Sequence, residues 1–341
     1  MAERDARLES FLRQAGWDDA LRAMLAGDAS NRRYLRLIRP STAERAVLMD
    51  APPDKGENVA PFLHIATYLT GLGFSAPRIY ARDTDAGFLL LEDLGDALFA
   101  RVVARHEEMQ NSLYSAATDL LAELHRDTPP DGLAPYAPPL AADLSGLAHD
   151  WYATGAMDKP DRAARDALTE TVDAAISAFA PDCDVLVQRD YHSENLLWLP
   201  DREGVKRVGL LDFQDAMLGH SAYDLVSLLQ DARRDVPPDI EAQMIARYIA
   251  ATEQDALDFA LSYATLGAQR NLRILGVFAR LCIRDGKAQY VDMIPRVWSL
   301  LQRNLTHPEL GALRDACACL PEPDDALMAR LRSKCATNPT L

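Results

Sequence analysis

Three oxygen-bearing side chains follow one another in the middle of the chain at spacings that suit chemistry on phosphates. Asp190 and Asn195 lie at the two ends of a short polar loop, and Asp212 ends the apolar run that follows a turn at 201–204. Transfer of a phosphoryl group to an alcohol needs a carboxylate that receives the hydroxyl proton and oxygen ligands that hold Mg²⁺ on the phosphates. The pattern therefore predicts a nucleotide-phosphate site.

Each of these residues also has a plainer interpretation when it is taken alone. Asp190 suits a turn or a helix N-cap, Asn195 an ordinary loop amide, and Asp212 a solvated carboxylate at a strand end. Their joint spacing, between apolar segments that predict strands, favours a single phosphate site. For His125 and His192 we expect structural hydrogen bonds rather than catalysis.

The first hundred residues predict a small antiparallel sheet that carries one helix. Apolar residues alternate or run together over 34–39, 46–49 and 88–91, whereas 59–72 has apolar residues at helical spacing. The rest of the chain predicts helices around one β-rich segment at 185–213.

Composition narrows the class of protein. Among 341 residues, 36 Lys and Arg stand against 51 Asp and Glu, giving a net charge of −15, so a duplex-binding surface is not expected. The length and the 48% of apolar residues suit two domains or one bilobal unit. Because the sequence contains neither a long apolar run nor the apolar centre of a secretion signal, we expect a cytoplasmic protein without membrane partners.

Two segments together resemble the aminoglycoside phosphotransferase and choline kinase group, which is related to the protein kinases. QRDYHSEN, with Asp190 and Asn195, is similar to the group's catalytic loop, and LLDFQD, with Asp212, is similar to its metal-binding motif. Supporting matches are LLAELH, which ends at His125, and GHSAYDLVSLL, which contains Asp224. The resemblance covers essentially the whole chain.

The resemblance implies an α+β, bilobal, protein-kinase-like fold. An N-lobe over 1–94 would hold the small antiparallel sheet with its main helix, and a larger, mostly helical C-lobe would span 95–341. ATP and Mg²⁺ are the implied cofactors, with Asp190 as catalytic base and with Asn195 and Asp212 as metal ligands.

The resemblance also implies where the nucleotide binds. Adenine is expected at a hinge near Glu92, Asp93 and Leu94, and the loop 27–33 is expected to cover the phosphates. Small polar residues in that loop offer N–H groups and a hydroxyl to an anion, although such a string is also typical of an ordinary turn. The nucleotide-binding residues expected in the loop are Ser30, Asn31, Arg32 and Arg33.

One departure from the group's pattern concerns charge. The strand that carries a phosphate-pairing Lys in kinases corresponds to 47–53, which has no Lys. We expect Arg32 and Arg33, rather than Lys55, to supply the missing positive charge. Glu57 is a possible partner by analogy, but stabilisation of the first turn of the next helix is the interpretation we favour.

Further residues are expected to support the catalytic loop or to touch the acceptor. Gln188 replaces the usual His at the start of the loop, and we expect Gln188 and Asp224 to be structural supports. For the acceptor, Asp215 and Arg273 are the residues we expect to make contact.

Within the group, longer strings look most like the bacterial cell-wall sugar kinases that phosphorylate the anomeric hydroxyl of N-acetylmuramate and N-acetylglucosamine. These strings are GDASNRRYLRL, MDAPPDKGENVAPF, GFLLLEDLGD and QRNLRILGVFARLCIRDGK. The subgroup also carries Asp-Ala-Pro-Pro in place of the Lys-bearing strand. The resemblance implies a small-molecule acceptor, a sugar 1-phosphate product used in cell-wall recycling, and a monomer or weak dimer.

Basic residues form a row on the predicted helix or helices over 255–284. They are Arg270, Arg273, Arg280, Arg284 and, just beyond, Lys287. A solvated cationic face is the interpretation we favour, and a recess for an anionic substrate group is the alternative.

Two other functions stay open at this level. An aminoglycoside O-phosphotransferase of antibiotic resistance, or another small-alcohol kinase, would use the same motifs, and a polycationic antibiotic would favour an acidic cleft. A nucleotide-binding pseudokinase suits the absent Lys. Retention of Asp190, Asn195 and Asp212 together argues against a binding-only role.

Overall fold

A computed structural model describes residues 2–25 and 31–337 of the chain. The strands in these residues are β1 (Leu21–Met24), β2 (Arg33–Ile38), β3 (Arg45–Asp50), β4 (Ile79–Asp83), β5 (Phe88–Glu92), β6 (Val185–Val187), β7 (Leu196–Trp198), β8 (Val208–Leu210) and β9 (Met217–Gly219). The α-helices are α1 (Ala2–Gln14), α2 (Ala60–Gly71), α3 (Phe99–Arg105), α4 (Gln110–Leu124), α5 (Pro138–Ser145), α6 (Thr154–Met157), α7 (Arg162–Phe179), α8 (Ala222–Leu229), α9 (Pro238–Thr252), α10 (Ala256–Ile283), α11 (Ile294–Asn304), α12 (Gly311–Cys317) and α13 (Asp325–Ser333).

The chain folds into two compact units. The first comprises Met1–Leu120 and Ser193–Ala216, and the second comprises Leu121–His192 and Met217–Leu341. The chain thus passes between the units within the predicted catalytic loop. The predicted lobes over 1–94 and 95–341 stay a prediction.

An antiparallel sheet organises the first unit, with strands in the order β1-β2-β3-β5-β4. The three central strands are those that the sequence predicts, because each alternates or concentrates apolar residues that pack into a core. Leu37, Leu48 and Leu90 from these strands form that core with Leu8 and Leu12 of α1. The sequence does not predict the edge strands β1 and β4, because neither has a run of buried apolar residues. Strand β1 is exposed throughout, and β4 alternates exposed and half-buried positions.

Helix α2 begins and ends within one residue of the predicted 59–72. Its buried residues include Phe62, Ile65 and Leu69, which repeat every three or four positions along one face. The Phe62 ring stacks on that of Phe213, with ring centroids 5.0 Å apart. Helix α2 therefore anchors the backbone next to Asp212.

A hairpin of β7 and β8 brings two predicted site residues together. Leu196 pairs with Leu210 in the antiparallel ladder, and the Leu211 N–H donates to the Asn195 carbonyl at 3.0 Å. Asn195 precedes β7 and Asp212 lies two residues after the end of β8, so this pairing makes them neighbours. Asn195 and Asp212 leave the hairpin side by side.

The second unit is mostly helical and is organised around α10, a single uninterrupted helix of 28 residues. Asp255 caps it by accepting the Leu257 and Asp258 N–H groups at 2.8 and 3.0 Å. Gly276 lies so close to Leu147 that a Cβ would fall 2.1 Å from its carbonyl carbon. Any larger residue there would force the two segments apart. Among the helices that the structure describes, none has the length and apolar character that a membrane crossing requires.

Candidate active site

A cavity of about 430 Å³ lies within the first unit, between the sheet and the β7–β8 hairpin. Apolar side chains supply much of its wall; among them are Val47, Leu91, Leu94, Leu197 and Leu211. Polar groups enter at its edges, including Asn195, Asp212 and Gln214. An apolar slot with a few convergent polar groups is typical of a site for a flat organic ligand.

Asp212 and Asn195 are within hydrogen-bond reach of each other. Asn195 Nδ2 donates to Asp212 Oδ2 at 3.4 Å, and Gln214 Nε2 donates to Asp212 Oδ1 at 2.6 Å. Asp212 also adopts a left-handed backbone, with φ of 58°, which non-glycine residues enter at a cost of about 1 kcal/mol. Burial of the next side chain, Phe213, holds this conformation in place.

The donor set fits a hard divalent cation. A carboxylate and an amide carbonyl are oxygen ligands, and Mg²⁺ is commonly held by one or two such groups together with waters and substrate phosphates. The Asn195 amide nitrogen faces Asp212, and a half-turn of the amide plane would bring Oδ1, the atom that can ligate a cation, to the same place. Within residues 2–25 and 31–337, no cluster of three or more His, Cys, Asp or Glu residues forms an all-protein metal cage.

The carboxylates at the predicted adenine hinge are bound by arginines. Arg36 Nη2 donates to Asp93 Oδ1 at 2.9 Å, and its Nε lies 2.7 Å from Asp93 Oδ2. Glu92 accepts from Arg78 and from Arg202 at 3.1 and 2.8 Å. Both acidic side chains line the cavity, but these arginines hold them in place.

Leu94 completes that segment. It is buried and packs with Leu197 and Leu199 of the hairpin region. Its predicted position at the slot matches its place in the cavity wall.

In the predicted phosphate loop, Ser30 lies outside the described residues. Its neighbours Asn31 and Arg32 both bind Glu57, through the Asn31 N–H at 3.0 Å and Arg32 Nε at 2.8 Å. Burial opposes the charge of Arg32, but the hydrogen bond to Glu57 and the proximity of Tyr34 raise its pKa. Because Glu57 lies three residues before α2 begins and binds this loop, the interpretation of Glu57 as a first-turn helix stabiliser is wrong.

Arg33 has a different partner. Its Nε donates at 2.9 Å to Asp50, which is 1% exposed and also accepts from Arg4 Nε at 2.9 Å. Asp50 ends β3, so this bridge ties α1, β2 and β3 together. The two arginines that the sequence leaves equivalent are therefore distinct, one on the loop and one within the sheet.

In the second unit, Asp224 holds the backbone at the start of the predicted catalytic loop. The carboxylate is fully buried and accepts the Gln188 N–H at 2.6 Å and the Arg189 N–H at 2.9 Å. Burial raises the pKa of Asp224 to about 7, although these two amides and Arg270 act in the opposite direction. Asp190, half-buried, follows directly on this anchored segment.

A second chain of contacts reaches the loop from α10. Arg270 Nη2 donates to Ser227 Oγ at 2.7 Å, and Ser227 Oγ donates to the Arg189 carbonyl at 3.3 Å. Arg270 is only 4% exposed, so the interpretation of its row as a solvated face is wrong at this position. Helical periodicity places Arg270 on one face but contains no signal for what covers that face.

The two residues expected at the acceptor differ in exposure. Asp215 is exposed, and Gln214 rather than Asp215 lines the cavity beside Asp212. Arg273 is half-buried, and its Nη1 lies 3.4 Å from the Tyr223 hydroxyl. The acceptor role of both stays a prediction.

A larger cavity of about 580 Å³ lies in the second unit but involves none of the predicted site residues that the structure describes. His125 in its wall is 2.6 Å from the Tyr248 hydroxyl, and burial lowers its pKa to about 3. Burial also lowers the pKa of His220. These histidines stay neutral near pH 7, which suits structural hydrogen bonding.

A model of the phosphotransferase enzyme family matches residues 23–260. This chain belongs to that family. Among its relatives, the N-acetylmuramate/N-acetylglucosamine kinase of Caulobacter vibrioides is 40% identical, over 92% of this chain and 95% of the relative. The kinase of the same name from Pseudomonas aeruginosa is 31% identical, over 94% and 96%.

Solved structures of phosphotransferases share the fold at low identity. Ethanolamine kinase of Plasmodium vivax superposes with a TM-score of 0.60 at 13% identity, covering 90% of this chain and 87% of that one. ADP-bound aminoglycoside phosphotransferase APH(2'')-Ib gives 0.59 at 13% identity, covering 88% and 97%. The predicted family, the α+β kinase-like fold and the enzyme class are thereby confirmed.

Proposed function

We propose that this phosphotransferase moves the γ-phosphoryl group of ATP to the anomeric hydroxyl of N-acetylmuramate or N-acetylglucosamine, giving a sugar 1-phosphate. The paired oxygen ligands Asn195 and Asp212, at the edge of an apolar cavity in this fold, carry the chemistry. The named relatives, similar over nearly their whole length, support the acceptor.

The nucleotide base fits the apolar slot of the first unit. Leu91, Leu94 and Leu197 offer flat apolar contact, and the hinge backbone offers hydrogen bonds. Since Arg36 and Arg202 already bind Asp93 and Glu92, we infer that neither carboxylate contacts the base directly. Their role is to fix the shape of the segment.

Asn195 and Asp212 would hold Mg²⁺, which supplies charge neutralisation to the phosphates when bound. Gln214 orients the Asp212 carboxylate by its 2.6 Å hydrogen bond, and the stacked Phe213 fixes the backbone. The chain thus presents an oriented carboxylate rather than a flexible one.

Asp190 is our candidate for the base that receives the sugar hydroxyl proton. A base of this kind needs a fixed position more than a shifted pKa, because the proton leaves as the phosphoryl group is transferred. Asp224 fixes the preceding two amides, and Ser227 the intervening carbonyl. We infer that Gln188 contributes through its backbone.

Arg32 is our candidate for the missing N-lobe lysine. Its contact with Glu57 gives an ion pair on the predicted phosphate loop, with both side chains largely buried at 14% and 11% exposure. Arg33 is committed to Asp50 and the sheet. We therefore assign the phosphate contact to Arg32 and a structural role to Arg33.

An acceptor screen tests the proposal. Purified protein with Mg·ATP is offered N-acetylmuramate, N-acetylglucosamine, kanamycin, choline and homoserine, and ADP release is followed by a coupled assay. We expect turnover with the two amino sugars. Turnover with kanamycin alone would instead indicate an antibiotic phosphotransferase, and ATP binding without turnover on any acceptor would indicate a pseudokinase.

A further inference from the structure

Within residues 2–25 and 31–337, two neighbouring arginines of α10 form no ion pair with a carboxylate. Arg270 and Arg273 are three positions apart, hence adjacent on one face of the helix. Arg270 is 4% exposed and Arg273 is half-buried. Both therefore carry charge in a region with little water.

Their polar contacts leave hydrogen-bonding capacity unused. Arg270 makes one hydrogen bond, to Ser227, while its Nε and Nη1 are buried without a partner in the part of the chain that the structure describes. Arg273 makes only the 3.4 Å contact with the Tyr223 hydroxyl within the same residues. A neutral hydroxyl does not balance either charge.

Several other arginines in this unit each form an ion pair with a carboxylate. Arg296 binds Asp235 at 2.7 Å, and Arg303 binds Glu241 at 2.8 Å. Arg284, directly after the last residue of α10, binds its neighbour Asp285 at 2.6 Å. Among the described residues, Arg270 and Arg273 have no such pair, and Arg270 is the more deeply buried of the two.

A buried guanidinium without a counter-charge is unfavourable, and buried donors left without acceptors add to that cost. Burial lowers the pKa of Arg270, and the charges of Asp190 and Asp231 only partly oppose this effect. Arg270 also lies near the candidate base, because Ser227, which it binds, donates to the carbonyl of Arg189, the residue before Asp190. An anion bound there would satisfy the arginines beside the reacting group.

We propose that Arg270 and Arg273 bind the lactyl carboxylate of N-acetylmuramate and so favour this sugar over N-acetylglucosamine, which has no carboxylate. The inference rests on the proposed function, because it names a contact of the same acceptor. Arginine suits the task, since it stays charged and donates several hydrogen bonds to a carboxylate. The two arginines could instead bind the transferred phosphoryl group, which is also an anion. The experiments below distinguish binding of the phosphoryl group from binding of the sugar carboxylate.

Arg273 is the better position to change, because Arg270 also supports Ser227 and the loop. In Arg273→Gln we expect kcat/KM for N-acetylmuramate to fall about 10- to 100-fold, as the loss of a charged hydrogen bond implies, and kcat/KM for N-acetylglucosamine to change less than about twofold. Arg273→Lys should recover part of the loss. Arg284→Gln is the matched control, because Arg284 caps the C-terminus of the same helix but is paired with Asp285, and it should leave both sugars unchanged.

Equal losses on both sugars would overturn the proposal, because they would indicate a contact with the phosphoryl group or a purely structural role. Arg270→Lys, which keeps the charge, provides a second variant with the same sugar comparison. We expect it to retain more N-acetylmuramate activity than Arg270→Gln.

Calorimetry without nucleotide separates this inference from the proposed kinase function. The probes are N-acetylmuramate and its carboxyl methyl ester, the same sugar without the charge. We expect the acid to bind wild-type protein at least about tenfold more tightly than the ester, and Arg273→Gln to bind both alike. Equal binding of acid and ester to the wild-type protein, or no binding of the acid, would overturn the carboxylate site even where turnover occurs.

Discussion

Arginines in the first unit and those in the middle of α10 are held in opposite ways. Arg33 and Arg36 each bind a carboxylate that is itself largely buried. In the described part of the chain, Arg270 and Arg273 bind hydroxyl groups, those of Ser227 and Tyr223, and no carboxylate. In the first unit these arginines hold parts of the protein together through ion pairs. In α10 the guanidinium groups of Arg270 and Arg273 remain able to bind an anion.

This difference separates two tasks of a phosphotransferase. A nucleotide slot needs a stable shape, and charge pairs around the hinge and loop supply it. An acceptor site needs charge that is complementary to the substrate, and charge already neutralised by the protein is of no use there. The burial of Arg270 is therefore informative, since within the described residues no carboxylate pairs with this guanidinium.

The largest effect is expected at Asp190, the candidate base, which is half-buried at the end of the anchored segment 188–190. In Asp190→Asn, kcat should fall by about 10²- to 10⁴-fold, because the hydroxyl proton loses its acceptor. ATP affinity, measured by calorimetry, should change little. A variant that turns over at the wild-type rate would remove Asp190 from the role of base.

A smaller effect should distinguish the paired arginines of the first unit from each other. Arg32→Gln should raise KM for ATP about 10- to 100-fold with little change in KM for the sugar, because the charged contact with phosphate is lost. Arg33→Gln should instead lower the free energy of unfolding by about 1–2 kcal/mol, since Asp50 would keep only Arg4. Steady-state kinetics and urea denaturation measure the two outcomes, and equal ATP kinetics in both variants would reject the assignment.

Asp224 gives a pH-dependent test of the loop anchor. Its pKa is raised from 3.8 to about 7 in the folded protein, so the folded state holds this proton more tightly than the unfolded state. That stabilisation is complete below the unfolded pKa and declines as the pH rises through 7. Between pH 5 and 8, wild-type protein should lose about 2–3 kcal/mol more stability than Asp224→Asn, which cannot titrate.

Urea denaturation of both proteins at the two pH values measures this difference. The comparison with Asp224→Asn removes the contribution of all other titrating groups that the two proteins share. Parallel pH profiles would show that Asp224 is ionised in the folded protein throughout this range.

The smallest effect is expected at the exposed end of the α10 row. Arg284 pairs with the adjacent Asp285, and such exposed pairs contribute little to stability. Arg284→Gln should shift the free energy of unfolding by less than about 0.5 kcal/mol and leave sugar kinetics unchanged. A selective loss of N-acetylmuramate activity in this variant would extend the anion site beyond Arg270 and Arg273.

The sequence predicts the elements whose buried residues form a clear local pattern, and the residues whose spacing around a turn brings them together. Strands β2, β3 and β5 lie in the middle of the sheet and show their buried residues in the sequence, and the spacing of Asn195 and Asp212 around a hairpin places them together. The edge strands β1 and β4 bury too little to leave such a signal.

A single sequence does not show which residue each arginine contacts in the folded protein. Arg32 and Arg33 are adjacent, yet Arg32 lies in the loop and binds Glu57, 25 residues away, whereas Arg33 begins β2 and binds Asp50, 17 residues away. Burial of Arg270 depends on α8 and the loop that it contacts, and helical periodicity carries no information about such neighbours.

Identification of the product by ³¹P and ¹H NMR tests the central claim most directly. After incubation of the protein with Mg·ATP and N-acetylmuramate, we expect a phosphate signal coupled to the anomeric proton, the mark of a sugar 1-phosphate. Phosphate on another hydroxyl of the sugar, or release of inorganic phosphate without a sugar phosphate, would contradict the account.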